Sequence, residues 1–480
     1  MPKWRLSPSA RPVGNYCSEF FSSDVGLRQG ENLSPAMFAL FLNDLKPFLM
    51  QHVDGLSSLS AQAAECGMDQ HDIDVLFQMF VLLYADDTVI CAESADDLQA
   101  SLDKLCDYCS TWSLTVNTMK TKIIVFSRGK IRRIPKFYYN GKEIEVVFDF
   151  KYLGLLFNYN NRFSVAQKDL YDRASRAMFS LLRRCRKSCL PLDLQFDLFD
   201  KVVLPILSYG CEVWCSGNCD LALKLQLRFY KIVLRLNKST PSCMLFGELG
   251  RFPVDVHLKT RMLCYWYKLV KQANSSKYTS VMYRFCLKMY EKCNYQFSYI
   301  EFIKTLLGEL GLHGVWLHQA NLTFSLDWFK EKVKRCLMDQ YIQKWLSEIN
   351  NRDKHVYTNY RMCKDSFACE RYFTLLSTSH AITLVRFRAL NNKLPVQTER
   401  FNDTPRCERV CTKCNLNDIG DEYHMLLVCP YFKQQRSSYL PGFYWNRPSC
   451  LKFSALFNTS TKKTLNNLVT LIGIINAEFK

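Results

Sequence analysis

Two adjacent aspartates, Asp86 and Asp87, interrupt an otherwise apolar stretch of the chain, FVLLYADDTVIC at residues 80–91. The apolar runs on either side leave room only for a tight turn, so we expect the pair at or beside the tip of a β-hairpin. Neighbouring carboxylates repel each other unless a cation neutralises them, and their oxygens suit a hard ion such as Mg²⁺. Two such ions about 4 Å apart can activate a 3′-hydroxyl and stabilise a leaving pyrophosphate. An ordinary Asp-rich turn is the alternative interpretation.

A second candidate site lies near the C-terminus, where Cys411, Cys414, His424 and Cys429 follow the pattern C-x2-C-x9-H-x4-C. Three thiolates and one imidazole suit a tetrahedral structural Zn²⁺ ion, and Cys407 is a possible substitute ligand. The alternative is a set of reduced cysteines and a histidine with no metal. A closed zinc site leaves no open position for catalysis, so we interpret it as a nucleic-acid grip. Several arginines precede or enter it: Arg386, Arg388, Arg400, Arg406 and Arg409.

The overall composition indicates a packed protein with an anionic partner. Of 480 residues, 63 are Lys or Arg and 45 are Asp or Glu, a net charge of +18, which favours nucleic acid. A basic but merely solvated surface would have the same totals. Apolar runs such as MFALFL and LVTLIGII are far shorter than a membrane span, and the first residues lack the apolar core of a signal peptide. We therefore expect an intracellular protein whose 22 cysteines are mostly reduced.

The elements around the aspartates are those of a mixed α/β domain covering about the first 160 residues. Ser34 is a candidate N-cap with Pro35 at the first helical position, and TKIIVFSRG at 121–129 reads as a strand. Ser94 is a candidate cap for the next helix. The apolar stripe of that helix comprises Leu98, Leu102, Leu105, Cys109 and Trp112.

Beyond residue 160 the pattern is predominantly helical and rich in basic residues. One basic cluster comprises Arg183, Arg184, Arg186 and Lys187, and an earlier one lies in SRGKIRRIPK at 127–136. Both would suit a groove that holds phosphates, although a solvated helix face would look the same.

Several motifs occur in a fixed order: GLRQGENLSP at 26–35, YADD at 84–87, NTMKTK at 117–122 and FKYLGLLF at 150–157. Together they resemble the reverse transcriptase palm of non-LTR (LINE-type) retrotransposons. The likeness continues through ILSYGCEVW at 206–214 and STPSCMLFGELGRFPV at 239–254 to the zinc-binding segment, so it covers most of the chain.

The resemblance implies an α+β fold: a partial right-hand polymerase palm, a helical thumb and C-terminal region, and a small zinc knuckle. Its implied segments are the palm at 1–158, the thumb or connection at 159–280, a helical region at 281–400, the zinc segment at 401–440 and a tail at 441–480. The implied activity is RNA-directed DNA synthesis with Mg²⁺ or Mn²⁺ at the palm and structural Zn²⁺ at the knuckle. Template RNA, primer or target DNA and deoxynucleoside triphosphates are the implied partners, with no membrane.

The resemblance also implies roles for individual residues. Asp86 matches the catalytic metal ligand and Asp87 its acidic neighbour, while Lys120 matches a lysine that assists the leaving pyrophosphate. The residues implied to border the template and incoming nucleotide are Gly26, Arg28, Gln29, Gly30, Tyr84 and Ala85. Tyr152, Leu153 and Gly154 match the primer-grip turn.

The sequence departs from the family pattern upstream of GLRQG. The family uses a further aspartate from an earlier strand, in a segment reading roughly F-x-D-x-x-x-A-F-D, and Asp24 lies in the wrong context for it. We also find no fingers subdomain and no N-terminal endonuclease. The leading expectation is therefore an N-terminally truncated, nuclear reverse transcriptase with impaired activity. The alternatives are a non-catalytic nucleic-acid-binding remnant and a degenerate product without activity.

Overall fold

A computed structural model describes residues 12–13, 16–17, 32–127, 129, 134–216, 219–272, 275–293, 295–402 and 404–479. The strands form four two-stranded sheets. They are β1 (Pro12–Val13), β2 (Tyr16–Cys17), β3 (Val81–Tyr84), β4 (Asp87–Ile90), β5 (Phe137–Tyr139), β6 (Lys142–Ile144), β7 (Asp149–Tyr152) and β8 (Leu155–Asn158). The rest of the described chain is mainly helical, which agrees with a mixed fold rich in helix.

The helices are distributed along the whole chain. The first half contains α1 (Ser34–Phe41), α2 (Leu45–Met50), α3 (Ser57–Glu65), α4 (Gln70–Phe77), α5 (Ala95–Thr111), α6 (Ser164–Lys187), α7 (Leu192–Leu198), α8 (Leu204–Leu207), α9 (Cys211–Trp214), α10 (Asp220–Val233) and α11 (Ser242–Leu249). The second half contains α12 (Val254–Lys271), α13 (Tyr278–Lys292), α14 (Ser298–Glu309), α15 (His313–Leu317), α16 (Leu326–Asn350), α17 (Thr358–Cys363), α18 (Tyr372–Leu375), α19 (Thr378–Arg388), α20 (Pro395–Thr398), α21 (Lys433–Tyr439), α22 (Gly442–Trp445), α23 (Cys450–Phe457) and α24 (Lys462–Glu478). No described helix is long and apolar enough to cross a bilayer.

The contacts divide the chain into two compact units. The first unit comprises Met1–Phe150, Asn158–Asn161 and Leu269–Ile300, and the second comprises Lys151–Phe157, Arg162–Lys268 and Glu301–Lys480. The five segments implied by the resemblance remain a prediction.

In the first unit, α13 packs against α3 and α4, which precede it by about two hundred residues. Val281 and Phe285 of α13 share a buried cluster with Ala63 and Leu76. Arg284 of α13 pairs with Asp72, its Nε 2.7 Å from Asp72 Oδ2. This helix therefore adds both apolar and ionic contacts to a unit built largely from earlier residues.

A hydrophobic cluster lies beneath the hairpin formed by β3 and β4. Phe80 and Val81, at the base of β3, are 1% and 3% exposed and pack with Leu45, Leu49 and Tyr108. The Tyr108 hydroxyl donates to Asp44 Oδ1 at 2.5 Å, so the polar end of this large side chain is also satisfied. The base of the hairpin is therefore anchored in a packed core while its tip projects beyond it.

Two of the predicted helix starts have different outcomes. The Ser94 cap is confirmed: its side chain accepts a hydrogen bond from the Asp97 N–H at 3.1 Å, and the predicted stripe faces inward with Leu102 and Cys109 buried. The Ser34 cap is wrong. Leu33 is already the N-cap, with helical φ −85 and ψ −22, so Ser34 is the first helical residue and α1 begins one position earlier than predicted.

The strand predicted at 121–129 is also wrong in extent. Within the described part of that segment only Ile123 pairs, through an isolated parallel bridge to Val146. Its N–H donates to the Glu145 oxygen at 3.1 Å, and its oxygen accepts from Val147 N–H at 2.8 Å. Alternating apolar residues make a segment extended, but a ladder also needs a partner strand of matching length.

Buried ionic contacts join distant segments within the second unit. Arg388 of α19 and Glu248 of α11 are buried, with Arg388 Nη2 2.9 Å from Glu248 Oε1. Lys364 Nζ lies 2.5 Å from Glu370 Oε1, and Arg388 Nη2 lies 3.4 Å from the same oxygen. Because each of these buried charges has an opposite partner, the network fixes how these helices pack.

We expect Gly250→Ala to destabilise the second unit by about 3 kcal/mol. Gly250 ends α11 at φ 59, and a Cβ there would lie 2.3 Å from the Cys369 nitrogen and 2.7 Å from the Ala368 carbonyl carbon. Both obstacles are backbone atoms that cannot rotate away. Thermal or urea unfolding checks the expected loss.

Gly308→Ala is the matched control, since nothing lies within 4 Å of a Cβ at Gly308 in α14. This variant should be neutral or stabilised by up to about 1 kcal/mol, the usual helix preference for alanine. Equal stability of the two variants would contradict the close approach at Gly250.

Candidate active and metal sites

Asp86 and Asp87 lie at the tip of the β3–β4 hairpin, as the sequence predicts. The register pairs Tyr84 with Asp87 and Leu83 with Thr88, leaving Ala85 and Asp86 as a two-residue loop. Ala85 has φ 51, the positive value required at the first loop position of a type II′ turn. The local chain geometry therefore explains why two carboxylates stand together at an exposed tip.

The surroundings of the pair leave both carboxylates available to a cation. Asp86 and Asp87 are exposed, and among the described residues neither carboxylate has an ion-pair or hydrogen-bond partner. Tyr84, 63% exposed, and Leu83, 41% exposed, form an apolar border beside them. Unpaired carboxylate oxygens are the ligands that Mg²⁺ and Mn²⁺ prefer, so the donor set fits a hard divalent ion.

The other residues assigned to this site by resemblance are placed differently. Lys120 is exposed in a turn in which its N–H donates to the Asn117 oxygen at 3.0 Å, and it forms no described ion pair with Asp86 or Asp87. Gly26, Arg28, Gln29 and Gly30 lie outside the described residues.

The predicted primer-grip turn is a second tight hairpin, between β7 and β8. Leu153 and Gly154 form its loop with φ 47 and φ 82, following Tyr152 at the end of β7. The Tyr209 hydroxyl donates to the Leu153 oxygen at 2.6 Å, and Arg173 Nη2 donates to the Gly154 oxygen at 2.9 Å. Both loop carbonyls are thus held by side chains from later elements, which makes the turn rigid.

The structure brings Cys411, Cys414, His424 and Cys429 together, with one ligand atom of each within 4.8 Å of the others. Cys411 Sγ lies 3.9 Å from Cys429 Sγ, and Cys414 Sγ lies 3.4 Å from His424 Nε2. A tetrahedral zinc ion would separate two sulfurs by about 3.8 Å and a sulfur and a nitrogen by about 3.6 Å. This cluster can therefore hold a metal ion. Cys407 is exposed and does not belong to it.

A small hairpin positions the first two cysteines. Val410 and Ile419 form an antiparallel bridge, and the Cys411 N–H donates to the Asp418 oxygen at 2.8 Å. Within the loop, the Lys413 N–H points at Cys411 Sγ at 3.4 Å, an interaction that suits a thiolate.

The other two ligands border a π-helical turn, His424–Val428. Asp421 Oδ1 accepts from the His424 N–H at 3.0 Å and so satisfies the first N–H of this turn. At its end, the Cys429 N–H donates to the His424 oxygen at 2.8 Å, which draws the two ligand residues together.

Burial dominates the electrostatics of the cluster. It raises the pKa of the Cys429 thiol to about 12 and lowers the pKa of His424, against the opposing effect of the Asp418 carboxylate. Asp418 Oδ2 lies 3.4 Å from His424 Nδ1, on the side of the ring away from Cys414. Nδ1 itself is buried and has no aligned hydrogen bond, so Asp418 acts on it mainly through charge.

A buried arginine that sequence reasoning missed lies behind the cluster. Arg436 of α21 is 3% exposed, and burial lowers the pKa of its guanidinium to about 10. Its Nε donates to the Leu426 oxygen at 2.6 Å and its Nη2 to the Cys429 oxygen at 2.8 Å. The only indication of this role in the sequence was that Arg436 lies seven positions after Cys429, and arginine is common in this chain.

The prediction that the arginines around this segment form a nucleic-acid grip is wrong for Arg388, which is buried and pairs with Glu248. Two others have partners within the protein: Arg406 Nη2 lies 2.8 Å from Asp421 Oδ2, and Arg409 donates to the Thr404 and Val396 oxygens. These side chains stabilise the segment, because their donors are used inside it.

The chain is similar to proteins of known families. Residues 6–157 match the family described as reverse transcriptase (RNA-dependent DNA polymerase). A putative uncharacterized transposon-derived protein of Caenorhabditis elegans is 30% identical over 184 residues, 38% of this chain and 64% of that protein. No solved structure matches.

Two further relatives come from named mobile elements. A retrovirus-related Pol polyprotein from the type-1 retrotransposable element R2 of Popillia japonica is 28% identical over 236 residues, 47% of this chain and 35% of the relative. An RNA-directed DNA polymerase from the mobile element jockey of Drosophila funebris is 22% identical over 201 residues, 40% of this chain and 19% of the relative. The chain thus covers less than two thirds of each of these three relatives. The YADD hairpin lies inside the matched segment, and this chain is similar to reverse transcriptases, including those of non-LTR retrotransposons.

Proposed function

We propose that this chain carries out RNA-templated DNA synthesis, with Asp86 and Asp87 as the metal-holding carboxylates. The observation that carries the proposal is the YADD hairpin: two exposed, unpartnered carboxylates on a tip anchored by a buried base, within the segment that matches reverse transcriptases. Primer extension on an RNA template in the presence of Mg²⁺ tests it.

The proposed division of work follows from the two hairpins. Asp86 and Asp87 would hold Mg²⁺, and the bound ion would supply activation of the primer 3′-hydroxyl and neutralise charge on the leaving pyrophosphate. Phe80 and Val81 limit movement of the carboxylates by fixing the base of their hairpin in the core. The turn at Leu153 and Gly154, held by Tyr209 and Arg173, has the rigidity that positioning a primer end requires.

Catalytic impairment is part of the same proposal. The described hairpin supplies two carboxylates, and a two-metal site with fewer oxygen ligands binds Mg²⁺ more weakly. We therefore propose that DNA synthesis by this chain continues to increase at Mg²⁺ concentrations that already saturate a site with more oxygen ligands.

A basic face on α6 and α10, comprising Arg176, Phe179, Arg183, Lys224 and Arg228, supports nucleic acid as the partner. These two helices pack together, and no acidic residue occurs at 173–187 or at 221–238. Arg228 lies 4.8 Å from the centre of the Phe179 ring, which is 40% exposed. The four basic side chains are exposed and have no described acidic partner. Free cations beside an exposed aromatic ring suit phosphates and stacked bases.

We expect Arg183→Gln combined with Arg228→Gln to weaken binding of single-stranded RNA and to reduce its salt dependence. Each lost phosphate contact lowers the slope of log K against log salt by about 0.7, so the double variant should lose about 1.4. Fluorescence anisotropy across a salt series measures both quantities.

The matched control is Lys462→Gln with Lys463→Gln, two exposed lysines in the first turn of α24, which removes the same charge elsewhere. A general electrostatic effect would change the slope equally in both double variants, and that outcome would remove the basic face from the proposal.

For the second site, we propose that Cys411, Cys414, His424 and Cys429 hold a structural Zn²⁺ ion. The near-tetrahedral separations of Cys411 from Cys429 and of Cys414 from His424 support zinc, and four protein ligands would leave no tetrahedral position for a catalytic water.

A non-catalytic nucleic-acid-binding protein is the second candidate function. It is favoured by the basic face and the Cys/His cluster, neither of which depends on Asp86. RNA binding without Mg²⁺-dependent extension would identify this second function.

A further inference from the structure

Arg436 has an unusual environment for a buried cation. Among the described residues no carboxylate pairs with it, and its hydrogen-bond partners are all backbone oxygens: Leu426 at 2.6 Å, Cys429 at 2.8 Å and Met425 at 3.4 Å. Arginines are rarely this buried without an anion, because removing the charge from water is costly. An anion near Arg436 would resolve this imbalance.

The adjacent cluster supplies such an anion once it holds a metal. A divalent ion contributes +2, three thiolates contribute −3 and a neutral imidazole contributes nothing, so the loaded site has a net charge of −1. Arg436 contributes +1 and contacts the carbonyl group of Cys429, one of the thiolate residues. The loaded site and Arg436 together are therefore neutral.

The carbonyl contacts also give Arg436 a geometric role. Met425, Leu426 and Cys429 belong to the turn that begins at His424, and a planar guanidinium with fixed donors restrains all three oxygens at once. The separation of His424 and Cys429, the last two ligands, depends on that turn.

We propose that Arg436 positions the ligands of the metal site and compensates its negative charge. The charge compensation requires a loaded site with three thiolates. This inference rests on the metal site proposed above. Residues around metal ligands typically change metal affinity by 10- to 100-fold, and a role in charge predicts that the size of the effect depends on the number of thiolates.

The test measures metal affinity by chelator competition and the visible spectrum of the Co²⁺-substituted full chain. Arg436→Gln should weaken zinc binding about 100-fold and Arg436→Lys, which keeps the charge but not the planar fork, about 10-fold. Lys433→Gln, an exposed change of equal charge in the same helix, should leave the affinity unchanged.

The same Arg436→Gln change in a Cys414→His background separates charge from structure. With two thiolates the loaded site is neutral, so the loss of Arg436 should weaken binding by about 10-fold or less. An equal loss in both backgrounds would show a structural role alone and overturn the proposal, as would wild-type affinity in Arg436→Gln. If Arg436→Gln does not fold, wild-type affinity in Arg436→Lys together with an unchanged Co²⁺ spectrum overturns the positioning role.

Failure of the metal site itself has a different signature. In that case the unsubstituted chain binds less than about half an equivalent of zinc and shows no thiolate-to-Co²⁺ absorption band.

Discussion

Asp86→Ala should reduce Mg²⁺-dependent primer extension by at least about a thousandfold, equivalent to about 4 kcal/mol of transition-state stabilisation. The Asp86 carboxylate lies in the exposed two-residue loop at the hairpin tip, and without it Asp87 supplies only one carboxylate to the ion. Extension of a labelled DNA primer on an RNA template, followed across a Mg²⁺ series, measures the effect.

The fold should survive this substitution. Asp86 is exposed and has no described partner, so the free energy of unfolding should change by less than about 0.5 kcal/mol. The matched control is Asp54→Ala, which removes another exposed aspartate of the first unit and should retain full extension. Extension that persists in Asp86→Ala would falsify the assignment of this hairpin as the catalytic centre.

Asp87→Asn refines the same experiment. Asp87 is the first residue of β4, and the amide of asparagine keeps the shape of the side chain while removing its charge. We expect a smaller loss of primer extension than for Asp86→Ala, because the resemblance implies that Asp87 is the less strictly required carboxylate of the pair. A Mg²⁺ requirement shifted to higher concentration would indicate that Asp87 contributes charge to the site.

Replacement of Cys411 and Cys414 by serine should have the largest effect on stability. The cluster lies in a packed core, with Met425, Leu426 and Leu427 at most 1% exposed. Loss of two ligands should abolish binding of zinc and destabilise the surrounding helices by several kcal/mol, since binding energy at structural zinc sites contributes to folding. Metal content by atomic emission and unfolding by circular dichroism measure the two effects.

The control variant replaces the same number of cysteines as the Cys411 and Cys414 double variant. Cys407→Ser with Cys450→Ser removes two exposed thiols outside the cluster and should retain one equivalent of zinc and wild-type stability. Zinc bound equally by both double variants would mean that the metal occupies another site.

Much of both sites could be predicted from sequence, because their decisive residues are close along the chain. Apolar runs on either side of Asp86 and Asp87 required a tight turn, and the structure has one. The four residues proposed to hold zinc lie within 19 consecutive residues, so their spacing alone restricted them to a short loop and turn. The strand prediction was less accurate: the segment around Ile123 has the alternation of residue types expected of a strand but only one paired residue.

Contacts between distant residues were decided only by the tertiary structure. Nothing in the local sequence indicates that Tyr209 holds the Leu153 carbonyl 56 residues earlier, or that α13 completes the core over α3 and α4. The same holds for the arginines: Arg388 is buried against Glu248, while Arg183 remains exposed, although both are basic residues in helices. Residue type and spacing determine which chemistry is possible, whereas packing determines which side chains lose water and which partners they meet.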